Sequence, residues 1–494
     1  MYWEKLLTPK RIREKSSVTR TIGDSRSPFK KDFDTVCNST VLRRLQDKAQ
    51  VFPLEEEDYA RSRLTHSIEV LSIAESLGIK AREIIRKRDF RNFISDDDSQ
   101  AARNRTYKLI QDIPTILMAA SLLHDMGNPP FGHLGEQIIN DWFKENLQHF
   151  EYLSEQNTIV SCDISRSSLD KVLSKAAIAD LTHFDGNAQL LRLVTKLSFV
   201  VDEHGMNLTY PVMATFIKYP CSSKLIDKSV LSKKKAGYYS TETSIFEDIE
   251  TSLGLKKNNQ YCRHPLAFLL EAADDIAYLT ADIEDASHKG ILTLDDIEEY
   301  LDVYGEHDRM VSRVKEAINE YKKAANKLNY PNHDDYVIHR LRIFIKGQMI
   351  NAMSGAFESL YSQIMDGTCQ EELIKASDAR VLAECLREIE TDKIHYCSNI
   401  VASKTKAIAV LNKLLDMYVP AVVNYKKDAD FRKDTQSNLL YLSLSENYRY
   451  ICELANTHSE GKDVIYNKLR LVIDQISGMT DSRALSIYHT LSAI

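Results

Sequence analysis

Sixteen glycines and eleven prolines are all that interrupt 494 residues. That is roughly 5% of the chain, against about 12% in average usage. So few turn-formers argue against a many-stranded sandwich, a collagen-like chain and a Pro/Gly-rich disordered one. What remains is a scaffold of long elements with few breaks, and the apolar spacing says those elements are helices. Leu64, Ile68, Leu71, Ala74 and Leu77 recur every three or four positions, the period of one helix face. Ile116 to Leu123 is an apolar stretch that ends at a histidine. Pro265 to Ala286, Val337 to Ile364 and Ala407 to Val423 read as further long helices. The expected fold class is all-α.

Length alone allows one to three domains. The hydrophobic fraction is 43% and the charged fraction 27%, enough to bury a large core without staples. No fixed-period repeat or low-complexity tract divides the chain, so a single large helical unit over 1–494 is expected. Three polar stretches read as loops or mobile segments: Asp96 to Arg105, Leu153 to Ser168, and Ser222 to Ser244 with its Lys233, Lys234 and Lys235. The eight cysteines are scattered and none forms a CxxC pair, which fits reduced, mostly buried thiols better than a zinc ribbon or redox motif. The opening residues MYWEKLLTPKRIREK are charged and lack a signal-peptide core. Ala407 to Val423 is interrupted by Asn412, Lys413 and Asp416. No membrane span and a cytoplasmic location are therefore expected. With 64 basic and 71 acidic residues, a net charge of −7, the chain as a whole is not a basic nucleic-acid binder.

The most informative words are short. His124 to Glu136 reads HDMGNPPFGHLGE: an apolar helix runs into adjacent His124 and Asp125, and Gly-Asn-Pro-Pro then breaks it. Helix neighbours point about 100° apart, so the two can share one metal only from a suitably placed helix end, which the Pro-Pro break supplies. His66 lies on an apolar-periodic helix that gives little other reason for an imidazole. Asp274 and Asp275 are consecutive carboxylates inside an apolar helix, where desolvation is costly unless a cation or donors stand nearby. Two imidazoles and two carboxylates suit Mn, Fe, Co, Ni, Zn or Mg better than a thiolate-loving metal. His133 and Glu136, three apart, share a helix face. Asp274, Tyr278 and Asp282, spaced by four, share another.

The order His66, then His124 with Asp125, then Asp274 resembles the H…HD…D signature of the HD superfamily of metal-dependent phosphohydrolases. The surrounding words RRLQDKAQVFPL, RSRLTHSIEV, LLHDMGNPPFGHLGE, HFDGNAQ, EAADDIAYLTADIEDA and ISGMTD are similar to those of the bacterial deoxyguanosinetriphosphate triphosphohydrolases, over nearly the whole chain. The resemblance implies an HD-domain helical fold with additional helices and room for a small β-hairpin. It implies an HD core over about 60–290 and a C-terminal helical region over about 291–494. It implies hydrolysis of dGTP to deoxyguanosine and inorganic tripolyphosphate by attack at the α-phosphate, with a divalent metal, Mn or Mg first, on His66, His124, Asp125 and Asp274. His133 is then the general acid/base and Glu136 its orienting or water-activating carboxylate. Tyr278 and Asp282 would contact the sugar, Asp282 at the 3′-hydroxyl, and Gln50 the same end. Asn187, Lys218 and Tyr219 would lie near the phosphates. Arg470, eight residues before Gly478, would reach the site or a neighbouring subunit. The resemblance also suggests a homo-oligomer, a hexamer, and a single-stranded DNA or nucleotide effector, for which the run Arg82, Arg86, Lys87, Arg88 and Arg91 is the candidate. A second run, Arg43, Arg44 and Lys48, precedes Gln50 directly and invites phosphate or structural duty. Two alternatives stay open: a broader dNTP triphosphohydrolase or other HD-type nucleotide phosphohydrolase, and a nucleotide- or DNA-sensing regulator with a vestigial metal site.

Overall fold

Helix α1, Arg63–Lys87, starts where Ser62 and Thr65 exchange reciprocal side-chain-to-backbone hydrogen bonds, a capping box. Its buried stripe, Val70, Ile73, Ala74, Leu77, Ala81 and Ile84, packs on α2, Ile113–Leu123, which is strongly apolar and buried at all but Thr115 and Met118. The two approach closely because α1 carries Gly78 at the crossing: a β-carbon there would lie 2.9 Å from the backbone of Pro114. Burying each of Ile113, Ile116, Leu117 and Leu123 contributes roughly 1.5–3 kcal/mol, so this pair anchors the interior.

The coordinates are a computed structural model and describe residues 1–13, 24–50, 61–88, 99–162, 167–198, 204–257, 260–305, 308–394, 398–425 and 436–492. Among these, helices dominate. After α2 come α3, Gly132–Asn146, and a short α4, Gly186–Arg192. The central α5, Pro265–His288, begins with Pro265 in its first turn and His264 as cap. The longest helix, α6, His333–Asp366, packs across α5 and α1 and ends on Gly367 in the left-handed region. Two C-terminal helices, α7 (Ser398–Asn424) and α8 (Lys462–Ser477), pack on each other. The fold is all-α with two small antiparallel hairpins among the described residues. Strands β1 (Phe150–Leu153) and β2 (Thr158–Ser161) pair Phe150 with Ser161 and Leu153 with Thr158. Lys256–Lys257 pairs with Gln260–Tyr261.

All three stretches read as loops hold more structure than expected. Residues 100–105 belong to the helix Gln100–Gln111, whose single buried stripe is Ala102, Thr106 and Ile110; residues 96–98 lie outside the described residues. A helix that buries only three side chains has a polar sequence, which is why it read as loop. Leu153 to Ser168 contains the β1–β2 turn and all of β2, docked by Asn424 through both hydrogen bonds of the Ile159 peptide (2.8 and 3.0 Å). Ser222 to Ser244 is a chain of short 3₁₀ turns with Tyr238 and Tyr239 buried. The segment Val401–Asn424 is long and apolar enough to cross a membrane, yet it works as an interior helix. Val410, Leu411, Leu414, Leu415 and Val422 are buried, and Asp416 accepts from the Trp142 indole of α3 (2.8 Å).

Candidate active site

Three helices converge on one point. His66 sits in the first turn of α1, His124 and Asp125 just past the end of α2, and Asp274 in the middle of α5. His66 Nε2 lies 3.2 Å from Asp274 Oδ1, and His124 Nε2 lies 3.4 Å from the same oxygen and 3.6 Å from Asp125 Oδ1. The two imidazole centroids are 5.5 Å apart. One ligand atom each from His66, His124 and Asp125 falls within 4.8 Å of the others.

The surroundings prepare these atoms for a cation. The His124 Nδ1–H donates to the Ser121 carbonyl (2.6 Å), which leaves the lone pair on Nε2. That nitrogen is buried and has no hydrogen-bond partner among the described residues. Asp125 accepts from Arg63 Nη1 at 2.8 Å and Asn128 Nδ2 at 2.6 Å. Burial pushes the Asp125 carboxyl up, but Arg63 and the two histidines outweigh it and hold it far below the usual range. Asp274 behaves alike: burial opposes its charge, while Lys218 (Nζ 2.7 Å from Oδ2) and His124 hold it well below the ordinary value. Burial lowers the His124 imidazole, but Asp125 and Asp274 more than reverse this. Two ionised carboxylates beside two imidazoles form an N₂O₂ donor set that fits a divalent metal.

Past Asp125 the chain turns sharply. Gly127 touches α4 so closely that a β-carbon would lie 2.0 Å from the Gly186 carbonyl oxygen. Phe131 and Gly132 are both left-handed (φ 61° and 58°). For Phe131 that costs about 1–3 kcal/mol. At Gly132 a side chain would also strike Arg63 Nη2 at 2.3 Å. The turn delivers His133 to the start of α3, with a side chain 76% exposed and Nδ1 2.8 Å from Glu136 Oε2. Glu136 is buried and its other oxygen accepts from the Gly186 amide (2.7 Å). Burial opposes the Glu136 charge, but the His133 hydrogen bond and Lys235 bring its pKa below the usual value. An ionised Glu136 keeps the proton on His133 Nδ1, so Nε2 is the nitrogen that can exchange a proton. Behind the pair, Asp185 is pushed up to about 6 by burial and then by Glu136, and Lys235 Nζ stands 3.6 Å from it.

The residues singled out for substrate fall in three places. Lys218 joins the metal pocket through Asp274. Tyr219 beside it is half-buried, its hydroxyl raised by burial and then by Glu271. Asn187 is close to Glu136 through Gly186, but its backbone and side-chain N–H groups both bond Asp185 Oδ1 (2.8 and 2.7 Å). Tyr278 and Asp282 lie one and two turns along α5 from Asp274. The Tyr278 hydroxyl donates to Glu390. Asp282 is 2% exposed, with neither oxygen hydrogen-bonded among the described residues. Gln50 pairs with Arg61 through its backbone at the start of α1, and its Oε1 is buried without a partner among the described residues.

Arg470 departs from expectation. It is wholly buried within its own chain, stacked 3.8 Å over the Tyr239 ring and bonded to Gln189 (2.8 Å). A guanidinium enclosed in this way reaches neither solvent nor a neighbouring subunit. Its helix α8 is an interior helix, so an apolar-periodic reading is the signal that predicts this. In the run proposed for DNA, Arg82 and Arg86 stand beside Glu83, while Arg88 bonds the Glu358 carbonyl and stacks on Tyr361. Arg91 lies outside the described residues. The site residues that sequence reading missed are Arg63, Asn128, Asp185, Lys235 and Glu390. Arg63, Asn128 and Asp185 stand inside words already singled out, and Lys235 in the basic run 233–235 read as loop, whereas nothing in the sequence points to Glu390.

Comparison with known proteins agrees with this geometry. The HD domain matches residues 63–187, and the phosphohydrolase-associated domain matches 375–490. A deoxyguanosinetriphosphate triphosphohydrolase-like protein of Listeria monocytogenes is 38% identical over the full length of both chains. A deoxyguanosinetriphosphate triphosphohydrolase of Serratia proteamaculans is 30% identical over 94% of each. The chain belongs to the deoxyguanosinetriphosphate triphosphohydrolase family. This triphosphohydrolase-family chain is thus an HD-domain phosphohydrolase, a hydrolase whose domain implies a divalent metal. His66, His124 and Asp125 lie inside the HD match. Asp274, Tyr278 and Asp282 lie beyond it on α5, and Glu390 falls in the associated domain.

Proposed function

We propose that the chain hydrolyses dGTP to deoxyguanosine and inorganic tripolyphosphate. The observation that carries the reading is the two-imidazole, two-carboxylate pocket with the His133–Glu136 pair on the turn leaving it. His66, His124, Asp125 and Asp274 would hold the metal, Mn or Mg. When bound, it would polarise the α-phosphate and lower the pKa of a water. Lys218, charged beside Asp274, is suited to the phosphates, with Tyr219 and Asn187 nearby. Water oxygen bonds the α-phosphorus, the bond from phosphorus to the 5′-oxygen breaks, and the sugar leaves with a 5′-hydroxyl. His133, oriented by ionised Glu136, exchanges the proton at Nε2. At the far end Asp282 accepts from the 3′-hydroxyl, and Tyr278 and Gln50 line the sugar.

Product identification tests the reaction. Deoxyguanosine with tripolyphosphate is expected, whereas dGMP with pyrophosphate, or dGDP with orthophosphate, overturns it. A second reading, turnover of all four dNTPs, draws on the same contacts, since phosphates and deoxyribose are common to all four. Rates across the dNTPs and GTP with Mn, Mg and Co separate the two.

A further inference from the structure

The catalytic turn is held from outside the HD domain. Between Asp125 and His133 two backbone groups, the Asn128 carbonyl and the Phe131 amide, are met by side chains from outside α2 and α3. Buried groups of this kind need partners. Lys48 Nζ donates to the Asn128 carbonyl at 2.6 Å and to the Ser477 carbonyl at 2.9 Å. Asp481 accepts from the Phe131 amide at 2.9 Å and from the Ala49 amide at 3.0 Å. Both side chains are 3% exposed. The ring closes on itself, because the Lys48 carbonyl accepts from the Arg63 amide (2.8 Å) and Arg63 holds Asp125. Arg44 adds a bond to the Gly478 carbonyl (3.1 Å). Both ammonium contacts of Lys48 are thus backbone carbonyls, which decides between phosphate and structural duty for it. Ser477, Gly478 and Asp481 belong to the word ISGMTD, which no catalytic role had absorbed.

We infer that Lys48 and Asp481 are positioning residues: together they clamp the left-handed Phe131–Gly132 turn so that His133 stands at a set distance from the metal ligands. A left-handed phenylalanine persists only where its surroundings over-determine it, and this clamp is what does so. The associated domain thereby completes the active site without touching substrate. The kinetic arm of the proposal rests on the function proposed above; the clamp itself does not.

The test uses the full-length chain with Asp481→Asn, Lys48→Met and, as control, Ser482→Ala. Ser482 bonds Asp47 (2.7 Å) at an exposed point of the same contact, away from the turn. In the two clamp variants kcat is expected to fall ~10²-fold, the scale of an ångström misplacement. KM and Mn²⁺ binding should move by less than about threefold. Hydrogen exchange over 126–133 should accelerate at least about tenfold while α5 keeps its protection. The control should match wild type in all of these. Unchanged kcat in a folded variant, or kcat, KM and Mn²⁺ affinity falling together, overturns the positioning role. If the wild-type chain releases no tripolyphosphate, the proposed function fails, and exchange alone decides the clamp: unchanged exchange at 126–133 overturns it.

Discussion

Asp274 and Asp282 stand on one face of α5, two turns apart, and the protein treats them oppositely. Asp274 is met by Lys218 and two imidazoles, which overcome burial and keep it ionised. Asp282 is met by no donor among the described residues. Burial, and then Asp285, push it well above the ordinary value against the pull of Arg61. Arg61 is spent instead on Glu69, Glu284 and Asp285. Identical side chains on one helix face thus meet opposite surroundings: one is held ionised beside two imidazoles, the other is pushed toward its neutral form. What stands opposite them decides the difference.

Replacing Asp274 by Asn should have the largest effect. With a ligand gone and Lys218 unpaired, Mn²⁺ binding by calorimetry should vanish and turnover fall on the order of 10³-fold or more; retained binding would remove Asp274 from the ligand set. His133→Ala comes next. It should cost ~10²–10⁴-fold in kcat and leave Mn²⁺ binding intact, so loss of metal here would place His133 among the ligands. Asp282→Asn should cost less, about tenfold, and change discrimination more than rate. Wild type should prefer dGTP to its 2′,3′-dideoxy analogue, and the variant should lose that preference. An equal loss on both substrates would deny Asp282 the 3′-hydroxyl.

The smallest effect on turnover concerns the scaffold both carboxylates share. His264 caps α5 through the Leu266 amide and donates to the Leu6 carbonyl, and burial lowers its pKa to about 4. Its folded pKa is depressed, so the unfolded chain binds the proton first as pH falls. The contribution is therefore complete above about 6.5 and lost as pH falls to about 4, some ~3 kcal/mol in all. Denaturant melts of wild type and His264→Gln at pH 7.5 and 4.5 should converge at the lower pH. A constant gap would break the argument.

Much of the scaffold was legible in the residues. The period of α1, the apolar run of α2 and the length of α5 follow from spacing, and scarce Gly and Pro from the helices they leave unbroken. His66 and Asp274 were legible as candidate metal donors because each is chemically out of place: an imidazole on an apolar stripe, or a carboxylate inside an apolar helix. The helix at 100–111 was misread because a lightly buried helix has a loop's composition. The burial of Arg470 was not legible, because a buried arginine looks like a reaching one until its neighbours are known.

By itself, then, the sequence determined an all-helical chain and singled out His66, His124, Asp125 and Asp274 as candidate metal donors, since helical period and out-of-place polarity are local properties. Only the tertiary structure decided which carboxylate keeps its charge, where Arg470 points, and that Lys48 and Asp481 grip the turn before His133. Those contacts join residues 350 and 432 positions apart. No local pattern encodes them, because the desolvation and hydrogen bonding that set each group's state come from whatever packs against it.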